Sequence, residues 1–406
     1  MIKKILLFLS GIAVLAALIT TTILQSKVMK KSGKKEFSQI ENPVKVYFDK
    51  FGIPHIDSKN IDDSYFALGY FMASERLFQM DLYRRLVQGR LSEIFGEKTI
   101  EADRLLRTLE FKKMGERMEK NLPEHSEILR LTQAYLKGVQ AYLDEGNLPI
   151  EFLLLGYKPE PFEISDIIGV TGYMALTFTE GINGDIYLSE LQEKLPEAKL
   201  QSLRIGDQTD RNYFGDQKIV RTKILDSINN ALGEIEQIVP ILHGSNSWVL
   251  SGKRTESGYP VLANDPHIGM ANPHVFYEAH LRAADFELYG NYIPLIPFPV
   301  MGHTRTTAWG LTMSEVDDFN VYLEKINPDD EDQVMFNNEW VAIEKRSEVI
   351  KVKKHDDVSI TIRKTPHGPL LDGTDKGVSG KSLSVSWSVY HPENNVLQSL
   401  FYIPRA

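Results

Sequence analysis

The spacing of apolar residues changes once along this chain, near residue 245, and that change limits the folds open to it. Before it the period is helical. Phe66, Tyr70, Ala73, Leu77, Met80, Val87, Leu91 and Ile94 recur on one face of a helix that Asp62 or Asp63 can cap and Gly96 can end. Two further amphipathic helices fit 100–122 and 125–145, and 167–179 is apolar on nearly every side, as a buried helix would be. Residues 149–161 read as a proline-punctuated connection. After residue 245 the period is two. Strands are expected over 247–250, 261–263, 275–282, 286–288, 307–312, 321–325, 349–353, 358–364 and 383–389. Helices followed by strands, with no internal repeat, predict an α+β architecture. The stretch 43–55 alternates like one early strand and ends in a Gly-Ile-Pro turn. Residues 200–244 are polar, with one short helical pattern near 224–232, and read as an exposed, protease-sensitive spacer.

The beginning of the chain has its own character. Lys3 and Lys4 precede an apolar run over 5–24, and residues 25–42 are lysine-rich and read as a tether. A basic start followed by such a run is a secretion signal or an uncleaved membrane anchor, so an exported protein is expected, secreted, periplasmic or anchored outside the cytoplasm. Cysteine is absent, which excludes disulfides, thiolate nucleophiles and cysteine-ligated metals. A formal net charge of -9 without a basic face argues against nucleic acid as a partner.

Common catalytic signatures are missing. There is no Gly-x-Ser-x-Gly elbow, no His-Glu-x-x-His, no phosphate-binding glycine loop, and the ten histidines have no metal-ligand spacing. One stretch stands out by position: His243-Gly244-Ser245-Asn246-Ser247-Trp248-Val249-Leu250, at the helix-to-strand change. Residues of these types also make an ordinary turn into a strand. In order after it come Asn264-Asp265-Pro266-His267, Gly302-His303-Thr304-Arg305, Trp309-Gly310-Leu311-Thr312 and Asp317-Asp318-Phe319-Asn320.

That ordered set resembles the start of the β subunit of the penicillin acylase family of N-terminal-nucleophile hydrolases. The first half agrees: Tyr65-Phe66-Ala67-Leu68-Gly69-Tyr70, Glu75-Arg76-Leu77-Phe78-Gln79-Met80, Gly89-Arg90-Leu91-Ser92-Glu93, Asp103-Arg104, Gly138-Val139-Gln140-Ala141-Tyr142 and Leu154-Leu155-Gly156-Tyr157 are similar to the family's α-subunit opening. The resemblance implies a four-layered αββα sandwich. It divides the chain into a signal or anchor (1–26), a tether (27–42), an α-subunit-like part (43–200), a spacer (201–244) and the start of a β-subunit-like part (245–406).

It also implies a chemistry: an amidohydrolase that cuts itself between Gly244 and Ser245, then uses the Ser245 hydroxyl as nucleophile and the freed α-amino group as base. A serine hydroxyl needs a nearby base, and an α-amino group titrates near ~7.7–8.0 in model peptides, close to working pH. By the same resemblance His267 lies beside the nucleophile, the Met313 N–H lines the oxyanion hole, and Met174, Phe178 and Ile268 wall the acyl pocket. One structural Ca2+ would sit on Asp317, Asn320, the Phe319 backbone and Asp185, with no organic cofactor. Asn320 stands where familiar members have aspartate. The partners implied are a small N-acyl compound (a β-lactam, an acyl-homoserine lactone or another acyl amide), the membrane, and the α and β pieces of the chain's own precursor. The family's β subunit is longer than the 162 residues from Ser245 to Ala406. The resemblance therefore implies a truncated chain of weak activity, and a noncatalytic protein that keeps the fold is the alternative reading.

Overall fold

The computed structural model describes residues 31–177, 194–202, 223–239, 242–313, 318–371, 381–391 and 393–405, with Leu191 and scattered positions before residue 31. The apolar run over 5–24 lies mostly outside them. Among the described residues no helix is long and apolar enough to cross a membrane.

The first alternating stretch is a hairpin, not a single strand. β1 (Lys45–Phe48) pairs antiparallel with β2 (Pro54–Ser58). An Asp49 carboxylate oxygen makes the turn by accepting the N–H groups of Phe51 and Ile53 at 2.8 and 2.9 Å. Helix α1 (Ile61–Gln88) follows. Its cap is Asn60, whose side chain accepts the Asp63 N–H at 2.7 Å, while the Asp63 carboxylate turns back to the Glu41 and Asn42 N–H groups. The helix ends before the expected Gly96. Gly89 takes the left-handed conformation at φ 60, and Gly89 and Arg90 donate to the last free carbonyls, Leu86 and Arg85. The short turn Ser92–Phe95 carries the apolar pattern onward.

The helix expected over 100–122 is two helices, α2 (Ile100–Thr108) and α3 (Phe111–Lys120). The break is Glu110, at φ 58. Its buried carboxylate takes Arg346 at 2.5 Å and Lys364 at 3.3 Å, so a tertiary ion-pair cluster holds a good helix former in a turn. Helix α4 (Glu127–Asp144), capped by Ser126, lies along α1, and α5 (Ile164–Thr177) is the buried helix. The connection over 149–161 contains a short helix, Ile150–Leu155.

Asp103 in α2 is fully buried and accepts the N–H groups of Leu91 and Ser92 at 2.7 Å each. Burial outweighs those bonds and pushes its carboxyl up to about 6. The folded chain therefore binds this proton more tightly than the unfolded chain does. The group's favourable contribution is complete at low pH, declines as pH rises from the ordinary aspartate value of 3.8 towards 6, and is gone above that. Denaturant titrations from pH 4 to 7 should show this downward component, and Asp103→Asn should remove it. A pH profile that is the same in both proteins would refute the assignment.

The two halves of the chain share one sheet and one core. The sheet runs β1-β2-β5-β6-β7-β8, with β5 (Tyr277–Ala283), β6 (Phe286–Tyr292), β7 (Met301–His303) and β8 (Ala308–Trp309). All neighbours are antiparallel except β2 and β5, where the amino-terminal hairpin joins strands from the second half. Helix α1 packs on β2 and β5. Beside this sheet lie four antiparallel pairs. β3 (Leu242–Leu250) pairs with β4 (Val261–Ile268), and β9 (Phe319–Lys325) with β14 (Lys381–Trp387). β10 (Gln333–Phe336) pairs with β11 (Glu339–Ala342), and β12 (Glu344–Ile350) with β13 (Val358–Lys364). β7, β10 and β11 are too short to carry a readable period.

The spacer needs correction. Residues 203–222 lie outside the described residues, but 223–236 form an amphipathic helix, α6 (Lys223–Glu236), packed against α2. Ala231, Ile235 and the following Val239 are buried in the main core, and Glu234 accepts the Ala102 N–H at 3.2 Å. An exposed, protease-sensitive segment does not extend to residue 239.

Candidate active site

Ser245 lies inside β3, not at a strand's beginning, and stands opposite Pro266 of β4. Gly244 stands opposite His267. Between Leu242 and Gly244 the register slips, so the peptide before Ser245 leaves regular pairing there. β3 is exposed along much of its length: Trp248 and Val249 are more than half exposed.

The loop after β8 brings in the next group. The Met313 N–H donates to Ser245 Oγ at 3.2 Å. A strand was expected over 307–312, but only Ala308–Trp309 pairs as one. Beyond it the backbone bonds a side chain. Asn264 accepts the Leu311 N–H at 3.1 Å and donates to the Leu311 carbonyl at 3.1 Å and the Asn246 carbonyl at 3.0 Å.

His267 presents its Nδ1 3.4 Å from where a Cβ on Gly244 would stand, van der Waals contact distance, so the imidazole lies directly against residue 244. Its Nε2 lies 3.3 Å from Asp265, a pair exposed enough to contribute little. His267 is a strand residue of β4, held across from the Gly244–Ser245 peptide.

Met174 of α5 and Ile268 of β4 line one apolar cavity with Pro266, Leu311 and Val239. Its empty space is about 660 Å³, partly open to solvent. The remaining expected wall residue, Phe178, lies outside the described residues. So do Asp317 and Asp185 of the expected calcium site. Phe319 and Asn320 begin β9, opposite Trp387 and Ser386. Asp318 is already occupied: one carboxylate oxygen accepts from the Trp387 indole and the Ser388 hydroxyl, each at 3.1 Å. Among the described residues no three His, Cys, Asp or Glu side chains converge as metal ligands would.

The expected nucleophile, backbone donor, histidine and two pocket residues thus meet in one place. Val239, Leu311 and the clamp made by Asn264 were not anticipated. Asn264 stood inside a motif that pointed to the site, but its hydrogen bonds depend on a loop 47 residues away.

The chain is similar in sequence to known proteins. The penicillin amidase family model matches residues 43–406. The penicillin acylase 2 proenzyme of Pseudomonas sp. (strain SE83) is 31% identical over 86% of this chain and 46% of its own length. The acyl-homoserine lactone acylase QuiP of Pseudomonas aeruginosa is 28% identical over 84% of this chain and 41% of its own. The thermostable penicillin G acylase of Alcaligenes faecalis superposes with a TM-score of 0.37 at 32% identity, over 39% of this chain and 29% of that one. The chain spans about half the length of the curated relatives it matches.

Proposed function

The chain belongs to the penicillin amidase family, and from that premise we propose that it is a self-cleaving amidohydrolase whose nucleophile is Ser245. The observation that carries this is the Met313 N–H, 3.2 Å from Ser245 Oγ in a strand irregular just before the serine. In self-cleavage the Ser245 oxygen attacks the Gly244 carbonyl carbon, the peptide C–N bond breaks as the hydroxyl proton passes to the Ser245 nitrogen, and water hydrolyses the resulting ester. The new amino terminus is then the base. It takes the hydroxyl proton as Oγ attacks the acyl carbon of a substrate, then passes that proton to the departing amine. Water releases the acid by the reverse steps. The Met313 N–H, which donates to Ser245 Oγ before a substrate binds, is within reach of the amide carbonyl oxygen that Oγ attacks and that becomes negative, where one backbone donor is typically worth ~2.7–4 kcal/mol of barrier.

Substrates are N-acyl compounds, in line with relatives named as penicillin and acyl-homoserine lactone acylases. The apolar cavity beside Pro266 takes the acyl group. The fold proposed is the αββα sandwich, with the six-stranded sheet under α1 as one layer pair and β3–β4 part of the facing sheet. A structural Ca2+ on the oxygens of Asp317, Phe319, Asn320 and Asp185, and export through the amino-terminal run, belong to the same proposal; no step runs through the metal.

The test is an acyl trap. The purified, self-cleaved protein is incubated with p-nitrophenyl esters of aryl and alkyl acids, quenched in acid and mapped by peptide mass. The acyl adduct is expected on the peptide beginning at Ser245. An adduct elsewhere, or none in cleaved protein, would overturn the proposal.

A further inference from the structure

We infer that Asn264 is a positioning residue, whose carboxamide locks the 310–313 loop onto strand β3 and so aims the Met313 N–H at the Ser245 oxygen; this rests on Ser245 being the nucleophile. The clamp spans the two elements that must meet. Asn264 sits in β4 opposite Ser247, one residue pair beyond Asn246 and two beyond Ser245. Both amide hydrogens are used. One goes to the Asn246 carbonyl, the residue after the nucleophile, and the other to the Leu311 carbonyl, two residues before the oxyanion donor. The Oδ1 takes the Leu311 N–H, so the loop backbone at that residue is held by both its groups, as a strand partner would hold it.

Gly310 completes the fit. A Cβ there would lie 2.5 Å from Asn264 Oδ1 and 2.6 Å from its Cγ, closer than any real contact. The loop therefore closes on this amide only because residue 310 has no side chain. Aspartate in place of Asn264 keeps the size and the acceptor for Leu311 but loses both donors, and sets a carboxylate oxygen against a carbonyl.

Self-cleavage of the full chain is the readout, followed by intact mass and analysed as a first-order rate. Selective 15N-methionine labelling reports the Met313 amide, assigned by its change in Ser245→Ala. Asn264→Asp should cleave about 10²-fold more slowly, as if most of one oxyanion donor were lost. It should keep a cooperative thermal melt and shift the Met313 amide signal in the same direction as Ser245→Ala does. Gly310→Ala displaces the clamp from the loop side and should slow cleavage similarly, with little further loss in the double variant, because the two changes break one device. Cleavage of Asn264→Asp within twofold of wild type, or a slower rate with the Met313 signal unmoved, overturns the inference. So does loss of the cooperative melt, which would assign the residue to folding. Wild-type protein that never splits sinks this inference together with the proposed function, whereas a splitting wild type with an unaffected Asn264→Asp sinks this inference alone.

Discussion

Ser245→Ala should remain one 46.2 kDa chain under conditions in which the wild-type protein separates into pieces ending at Gly244 and beginning at Ser245. The variant removes the attacking atom and almost nothing else, because alanine fits any strand position that serine does. Among the described residues of β3, no second hydroxyl is free to substitute. Ser247 lies two residues along the same strand but donates to the Ala263 carbonyl at 3.3 Å. The local backbone favours the cut. The register slip between Leu242 and Gly244 weakens pairing on the acyl side of the scissile bond, and glycine at 244 leaves its carbonyl uncrowded. Cutting also frees α6 and the residues after it, to Gly244, from covalent attachment to the part of β3 that begins at Ser245, and Val239 forms part of the cavity wall. Intact mass over days at pH 7 to 8 decides the matter. Scission of Ser245→Ala at the same bond would mean that the serine is not the agent of cleavage.

Much of this was legible in the sequence where one physical rule governed a whole segment. The 3.6-residue period gave α4 and α5 at both ends within a few residues and the start of α1, because each buries a continuous face. The end of α1 at Gln88 was not legible, because the apolar pattern runs on through the short turn Ser92–Phe95. The period of two gave β13 at both ends and β9 and β14 to within two residues. What failed depended on contacts remote in sequence. Glu110 breaks a helix because Arg346 and Lys364 are there to receive its carboxylate, and neither lies near it in the chain. The strand expected over 307–312 stops at Trp309 because Asn264 replaces a strand partner for Leu311. The candidate site was legible for a different reason. Gly244, Ser245, His267 and Met313 were placed by the order of short motifs, and the pairing of β3 with β4 then set Gly244 opposite His267. Val239 was not legible because residues 200–244 read as polar apart from one short helical pattern near 224–232, which stops short of it, although the last third of that stretch carries an apolar face that docks on α2.

Gly138→Ala should destabilise the fold strongly, against the sign that helix propensity predicts. In an exposed helix interior the change from glycine to alanine is favourable by roughly 0.5–1 kcal/mol, since glycine loses more freedom on folding. Gly138 is in α4, and a Cβ there would stand 1.9 Å from the Phe66 carbonyl oxygen and 2.9 Å from the Tyr70 nitrogen of α1. Gly69 of α1 makes the reciprocal approach, with a Cβ position 2.0 Å from the Tyr135 carbonyl oxygen. Both obstacles are backbone, so no rotamer change relieves them; the helices must part. Parting them loosens contacts along the buried seam that holds Tyr65, Leu68, Met72, Leu131 and Tyr135. Overpacking of a core commonly costs about 1–3 kcal/mol and sometimes more. With two backbones in the way, about 3 kcal/mol is expected, and the Gly69→Ala, Gly138→Ala pair should cost less than the sum because one separation serves both. Gly233 of α6 is the control. Its Cβ position meets nothing within 4 Å, so Gly233→Ala should be neutral or stabilising. All the variants belong in the Ser245→Ala background, where the chain stays whole and unfolding is that of one polypeptide. Urea midpoints followed by far-UV circular dichroism would rank them. Gly138→Ala unfolding at the same midpoint as its parent would show that α1 and α4 do not cross as closely as these distances require.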